Sequence, residues 1–211
     1  MTLSEALSKI KAIGLPVIRS ADVATALDVG KSHAAVMLAR LSRHGHVVRL
    51  KRGLWVLPGA VDSLALAPYL TAPFPAYVSA HSALYYHGMI SQVPGMIYCV
   101  SPARTHTYRT PLGTYSIHHL SSAFFLDYDT VGEGNIFMAT PEKALVDFLY
   151  LRPARSRLFS ALPELNLPAR FRIGHGRRLI GRIASPARCQ MVRQSFESLV
   201  QSRTRPNRKK Q

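Results

Sequence analysis

The spacing of apolar positions changes character twice within the first sixty residues. Leu3, Leu7, Ile10 and Ile13 recur at helical spacing, and Pro16 ends that segment. Ser20 is placed to cap a helix over residues 21–27, with Val23 and Leu27 turned inward. Ser32 is placed to cap another over residues 33–43, with Ala34, Met37, Leu38 and Leu41 as its apolar stripe. Val29-Gly30 lies between the two as a turn. After His44-Gly45, where glycine suits a left-handed helix end, two short apolar runs follow, 46–50 and 54–57. Lys51-Arg52-Gly53 joins them, which predicts a hairpin with a basic tip.

Pro58-Gly59 closes this front segment. A connecting helix is expected over 62–70, then a proline-rich extended joint at 71–76. Ser79 is a candidate cap for a helix reaching His87, with Gly88 as its stop. Residues 96–100, 105–109, 114–120 and 135–139 read as strands, the second and third straddling a turn at 111–113. Thr140-Pro141-Glu142 opens a helix with a cap, a proline at the first position and an acid in the first turn. Leu145, Phe148 and Leu149 form its buried face. Ser185-Pro186 opens the last helix, with Cys189, Val192, Phe196, Leu199 and Val200 as its stripe. Residues 203–211, RTRPNRKKQ, lack an apolar anchor and are expected to form a disordered basic tail. The predicted fold class is α+β. Residues 1–60 form a winged helix-turn-helix, 61–76 a connecting helix and joint, and 77–202 a mixed α+β domain.

Charge sharpens this picture. Among 211 residues there are 27 Lys+Arg against 11 Asp+Glu, a formal net charge of +16. Residues 1–60 hold nine basic and three acidic groups, net +6; residues 61–147 three and six, net −3; residues 148–211 fifteen and two, net +13. A basic front and a basic end around an acidic middle suit a polyanionic partner touched by two parts of the chain. On the second helix of the front unit, Ser32, His33, Val36, Arg40 and Arg43 lie off the apolar stripe, with Lys31 beside them. Arg49, Lys51 and Arg52 populate the hairpin. These residue types meet phosphates and base edges, so all nine are assigned to binding double-stranded DNA.

Other chemistries find little in the residues. Gly30-Lys31-Ser32 resembles the end of a phosphate-binding loop, but Thr25 stands where that motif needs glycine. His44 and His46 flank a glycine, and His118-His119 point to opposite faces of a strand. His81 and His87 do not share a helix face, so no metal site is assigned. Asp127, Asp129, Glu142 and Lys143 supply the residue types of a metal-dependent nuclease, although Glu142 also serves as a first-turn acid. Tyr77, Tyr85 and Tyr86 could stack nucleobases, but core or interface roles fit them better. No catalytic residue and no cofactor is expected. Cys99 and Cys189 are far apart without metal-type spacing, and no apolar run approaches the ~18 residues of a membrane span. Free thiols and a cytoplasmic location, with no membrane association, are the expectation.

Five segments in order resemble the AbiEi family of type IV antitoxins. RGLWVLP at 52–58 is similar to the family's wing, with Trp55 in place of the usual tyrosine. AYVSAHSALYYHG at 76–88, SQVP at 91–94, the hairpin segment at 110–117 and PEKALVD at 141–147 match further family motifs. The resemblance runs to about residue 200, and the tail beyond Arg203 has no counterpart in it. It implies a non-enzymatic autorepressor that binds inverted repeats in its own promoter, as a monomer or weak dimer on DNA. It also implies that the second domain counteracts a toxin of nucleotidyltransferase fold without forming a tight complex. Two alternatives accompany this reading: a nuclease targeted to DNA by the winged helix, and a solitary repressor that responds to a ligand.

Overall fold

The computed structural model describes residues 1–132, 136–152 and 164–204, with side chains of the last helix as far as Gln201. The protein is mixed α+β, with eight α-helices and two sheets among the described residues.

The first sheet belongs to the front of the chain. Helix α1 (Leu3–Ala12) starts at a capping box, in which the Thr2 hydroxyl accepts from the Glu5 N–H and the Glu5 carboxylate accepts from the Thr2 N–H. Strand β1 (Val17–Arg19) follows and was not visible in the apolar spacing, being only three residues long. Helix α2 (Ser20–Leu27) and helix α3 (Lys31–Arg43) then lead to strands β2 (Val48–Lys51) and β3 (Leu54–Val56). The sheet order is β1-β3-β2, antiparallel throughout. Gly45 after α3 and Gly53 at the hairpin tip have φ of +72° and +76°, the left-handed geometry their positions required.

Both helix starts differ from the sequence reading. Arg19 precedes α2 in extended conformation, and its N–H donates to Asp22 at 2.9 Å. Ser20 is already helical and its hydroxyl accepts from the Trp55 indole N–H at 3.0 Å. Gly30 occupies the cap position of α3, so Ser32 is the second helical residue and makes no cap bond.

The second sheet has six strands in the order β6-β7-β5-β4-β9-β8: β4 (Tyr77–Val78), β5 (Ile97–Ser101), β6 (His106–Thr110), β7 (Gly113–His119), β8 (Tyr128–Val131) and β9 (Ile136–Ala139). The pairs β4–β9 and β5–β7 are parallel, and the other three are antiparallel. One face carries helices α5 (Ala80–Tyr86), α6 (Pro141–Leu151), α7 (Ile173–Ile180) and α8 (Pro186–Thr204), with α6 touching the other three. α6 begins as expected, with the Thr140 hydroxyl accepting from the Lys143 N–H and Pro141 at the first position. The stripe of α8 is also as expected, with Val192, Phe196 and Val200 buried. That helix takes in Arg203 and Thr204, which were assigned to the tail; residues 205–211 lie outside the described residues, as does Asn135.

The opposite face of this sheet is where the two parts of the chain meet. The connecting helix expected over 62–70 is present in two pieces and is packed into the core. A 3₁₀ turn at Ser63–Leu66 and helix α4 (Ala67–Thr71) bury Ala65, Leu66, Ala67 and Leu70. The Tyr115 hydroxyl donates to the Ser63 carbonyl at 2.8 Å, tying the turn to β7. The turn after α4 is closed by the Phe74 N–H donating to the Thr71 carbonyl at 3.1 Å and the Thr71 hydroxyl donating to the Phe74 carbonyl at 2.7 Å. Leu50, Leu54, Val56 and Val17 join the same core, whereas Trp55 and Ile18 point the other way and pack with Ala34, Met37, Leu38 and Leu41. The small sheet is thus buried on both faces, helices on one and the second domain on the other. A free-standing front domain ending at residue 60 therefore does not describe the packing.

Candidate nucleic-acid interface

Helix α3 displays its assigned DNA-contacting residues exposed, most of them on one side. Lys31, Ser32, His33, Val36, Arg40 and Arg43 are all exposed, while Ala34, Met37, Leu38 and Leu41 are buried. At 3.6 residues per turn, His33, Val36, Arg40 and Arg43 fall within an arc of roughly 80°. Val36 is 59% exposed at its centre, an apolar side chain among cationic ones. Lys31 lies in the first turn, outside that arc. No Asp or Glu occurs between residues 29 and 61, so nothing in that stretch offsets the positive potential.

The hairpin residues divide. Arg49 is exposed, and its guanidinium lies 5.8 Å from the centroid of the Trp55 ring. Trp55 faces the helices, so Arg49 continues the basic surface on the helix side of the sheet. Arg52 is exposed at the tip. Lys51 is the correction. Its ammonium turns back toward the second domain, donating to the Leu70 carbonyl at 2.7 Å and lying 5.5 Å from the centroid of the Tyr108 ring. It satisfies a carbonyl at the end of α4 that has no intrahelical partner. Burial, with the charge of Arg19 adding to it, lowers its pKa from the usual lysine value.

Arg19 was not among the residues singled out. It joins Lys51, Arg52 and Tyr69 in lining a cleft of about 370 Å³ between the hairpin tip and the end of α4. Its strand was too short to register as a pattern, and only its positive charge next to a helix start marked it.

Two of the three carboxylates weighed for nuclease chemistry, Asp127 and Glu142, have structural partners. Asp127 accepts from the Thr140 hydroxyl at 2.6 Å and pairs with His175 Nε2 at 2.9 Å. Glu142 is buried and accepts from the Arg172 N–H at 2.6 Å, while Asp129 is exposed. Lys143 is fully buried, its ammonium 2.5 Å from Asp147 and 3.6 Å from the centroid of the Phe124 ring. Asp147 also accepts from the Tyr77 and Ser79 hydroxyls at 3.0 and 2.8 Å. The PEKALVD segment is thus the middle of a packed core, with its charged residues paired inside it. Among the described residues no group of three or more His, Cys, Asp and Glu is placed to hold a metal ion.

Much of the C-terminal charge is also engaged. Arg177 grips Glu197 through two bonds of 2.8 Å, and Arg188 donates to the Tyr150 carbonyl at 2.6 Å. Arg170, Arg178, Arg182 and Arg193 remain on the surface. Of the tyrosines, Tyr77 is core, whereas Tyr85 and Tyr86 are exposed. Cys99 and Cys189 are both free thiols. No described helix is long and apolar enough to cross a membrane.

No family model matches the chain, and no curated protein matches it.

Proposed function

We propose that the protein is a DNA-binding regulator whose front part is a winged helix-turn-helix, with α3 as the recognition helix and β2–β3 as the wing. The observation that carries this reading is the carboxylate-free basic side of α3, continued by Arg49 on the hairpin. The order α1-β1-α2-α3-β2-β3 also suits such a unit, because it leaves the outer side of α3 free for a major groove. His33 and Arg40 are the side chains proposed to read base edges. Arg43, Arg49, Lys31 and Ser32 are proposed to meet phosphates. Lys51 turns toward Leu70, so Arg52 is the exposed tip residue proposed to meet the DNA backbone.

The antitoxin part of the proposal rests on the AbiEi resemblance. On that basis the protein represses its own operon at inverted repeats, and its second domain counteracts a nucleotidyltransferase-like toxin without turnover. Of the carboxylates of the nuclease alternative, Asp127 is held by Thr140 and His175 and Glu142 by Arg172, which favours the non-enzymatic reading.

Selection of the full chain on a random duplex pool tests the DNA reading. A recovered consensus is expected. Changing His33 or Arg40 to alanine should cost ~1–3 kcal/mol at particular base pairs, while Arg52→Ala should weaken all duplexes alike. Equal losses on consensus and random DNA for the α3 variants would defeat it. The antitoxin reading is tested by co-expression with a neighbouring nucleotidyltransferase-like gene, with rescue of viability as the expected result.

A further inference from the structure

The cleft at the hairpin tip collects positive charge, and no carboxylate is among the residues that line it. Arg19, Lys51 and Arg52 line it, with Tyr69 on its rim and Gly53 at its edge. Among the described residues none of these three side chains forms an ion pair with a carboxylate, although Arg172, Arg177, Lys143 and His175 each do. Lys51 is partly buried and held by one bond to Leu70 O, which leaves two of its three ammonium protons for another acceptor. The backbone around the cleft is tied in place. The Ser20 N–H donates to the Gly53 carbonyl at 3.0 Å, which locks the tip to the start of α2, and β2 lies against β6. Two guanidiniums and an ammonium held around one concavity match the donor set that recognises phosphate, with arginine giving paired donors and lysine a point charge.

We propose that this cleft binds a phosphate group, with Arg19, Lys51 and Arg52 as its donors. The site spans the seam between the two parts of the chain, since Arg19 and Lys51 come from the first sheet, Arg52 from its hairpin turn and Tyr69 from α4. A ligand there bridges the hairpin to the second domain. The inference goes beyond the DNA-reading surface of α3; it shares Arg52 with the proposed wing contact but uses neither His33 nor Arg40.

The test titrates inorganic phosphate into the full chain at constant ionic strength, with chloride as the reference anion. Binding is read by calorimetry and by the side-chain NH₃⁺ resonance of Lys51. Saturable one-to-one binding that shifts that resonance is expected. Arg19→Gln and Arg52→Gln should each weaken it about ten-fold or more, the effect of losing one charge-assisted bond. Arg170→Gln, in a separate cleft beside α6, should leave it unchanged. Circular dichroism checks that each variant is folded. Absence of saturable binding, an unmoved Lys51 resonance in the wild-type chain, or equal affinity in the folded Arg19 and Arg52 variants would overturn the proposal. A random-sequence duplex then identifies the source. Displacement of bound phosphate by duplex assigns the cleft to a DNA backbone phosphate, and co-occupancy assigns it to a diffusible phosphate compound. Variants of His33 and Arg40 report on DNA reading separately, so failure of either idea is visible without the other.

Discussion

Acid should destabilise this protein before its surface carboxylates titrate, because two histidines are packed in its core. His118 on β7 is buried, its ring 6.3 Å from that of Tyr98 and its Nε2 sharing a 2.9 Å hydrogen bond with Ser116. His81 on α5 packs 4.7 Å from the Tyr98 ring and 4.9 Å from that of Phe148. Burial, with the charge of His81 adding to it, pushes the His118 pKa down to about 4, and burial lowers that of His81 as well. The unfolded chain takes up a proton at His118 near its ordinary value of 6.5, but the folded chain resists until near 4. Stability is therefore complete above the unfolded value and is lost as pH falls through the window between the two. For His118 alone the loss is about 2 kcal/mol by pH ~5 and about 3 kcal/mol by pH ~4, and His81 adds in the same direction. Denaturant unfolding followed by the single tryptophan, Trp55, measures this from about pH 7.5 downward. His118→Gln removes the titrating group, so its stability should fall less over the same range. An identical acid loss in wild type and His118→Gln would refute the reasoning.

Other outcomes follow from the same packing. Asp147→Asn leaves the Lys143 ammonium buried without its counter-charge and should cost about 3–5 kcal/mol, read as a shift in denaturation midpoint; a loss under 1 kcal/mol would mean the pair is dispensable. Gly176→Ala places a Cβ 2.6 Å from the ring of Phe196 where α7 crosses α8, so overpacking of about 1–3 kcal/mol is expected in the same assay. A fragment of residues 1–60 uncovers Val17, Leu50, Leu54 and Val56, and size-exclusion chromatography should find it self-associated or expanded; a sharp monomer peak with a cooperative melt would show that the seam adds little. Val36→Asp puts a negative charge in the middle of the exposed side of α3, so DNA affinity should drop by well over ten-fold in a binding assay while the melting temperature moves little.

Local chemistry was readable from the residues. The stripe of α3 (Ala34, Met37, Leu38, Leu41), the left-handed glycines 45 and 53, and the Thr140-Pro141 start of α6 are near where the spacing placed them. Each depends on neighbours within one or two turns, which a linear pattern records. The exposed basic side of α3 was legible for the same reason, since burying four positions of a helix fixes which others face outward. The seam was different. Leu54-Trp55-Val56 is a continuous apolar run, which marks a strand covered on both faces, but only the packing says what covers it. Lys51 looked like a hairpin-tip cation because its sequence neighbours are Arg49 and Arg52. Its actual partner, Leu70, is nineteen residues away, at the end of the connecting helix. The buried Lys143–Asp147 pair was equally hidden, since charged residues on a helix are ordinarily solvated and only the closure of Tyr77, Ser79 and Phe124 around them makes burial tolerable. Periodicity along the chain thus determined the elements and their outward faces. Tertiary contact decided which of those faces stay outward, because desolvation depends on the neighbours that long-range packing brings.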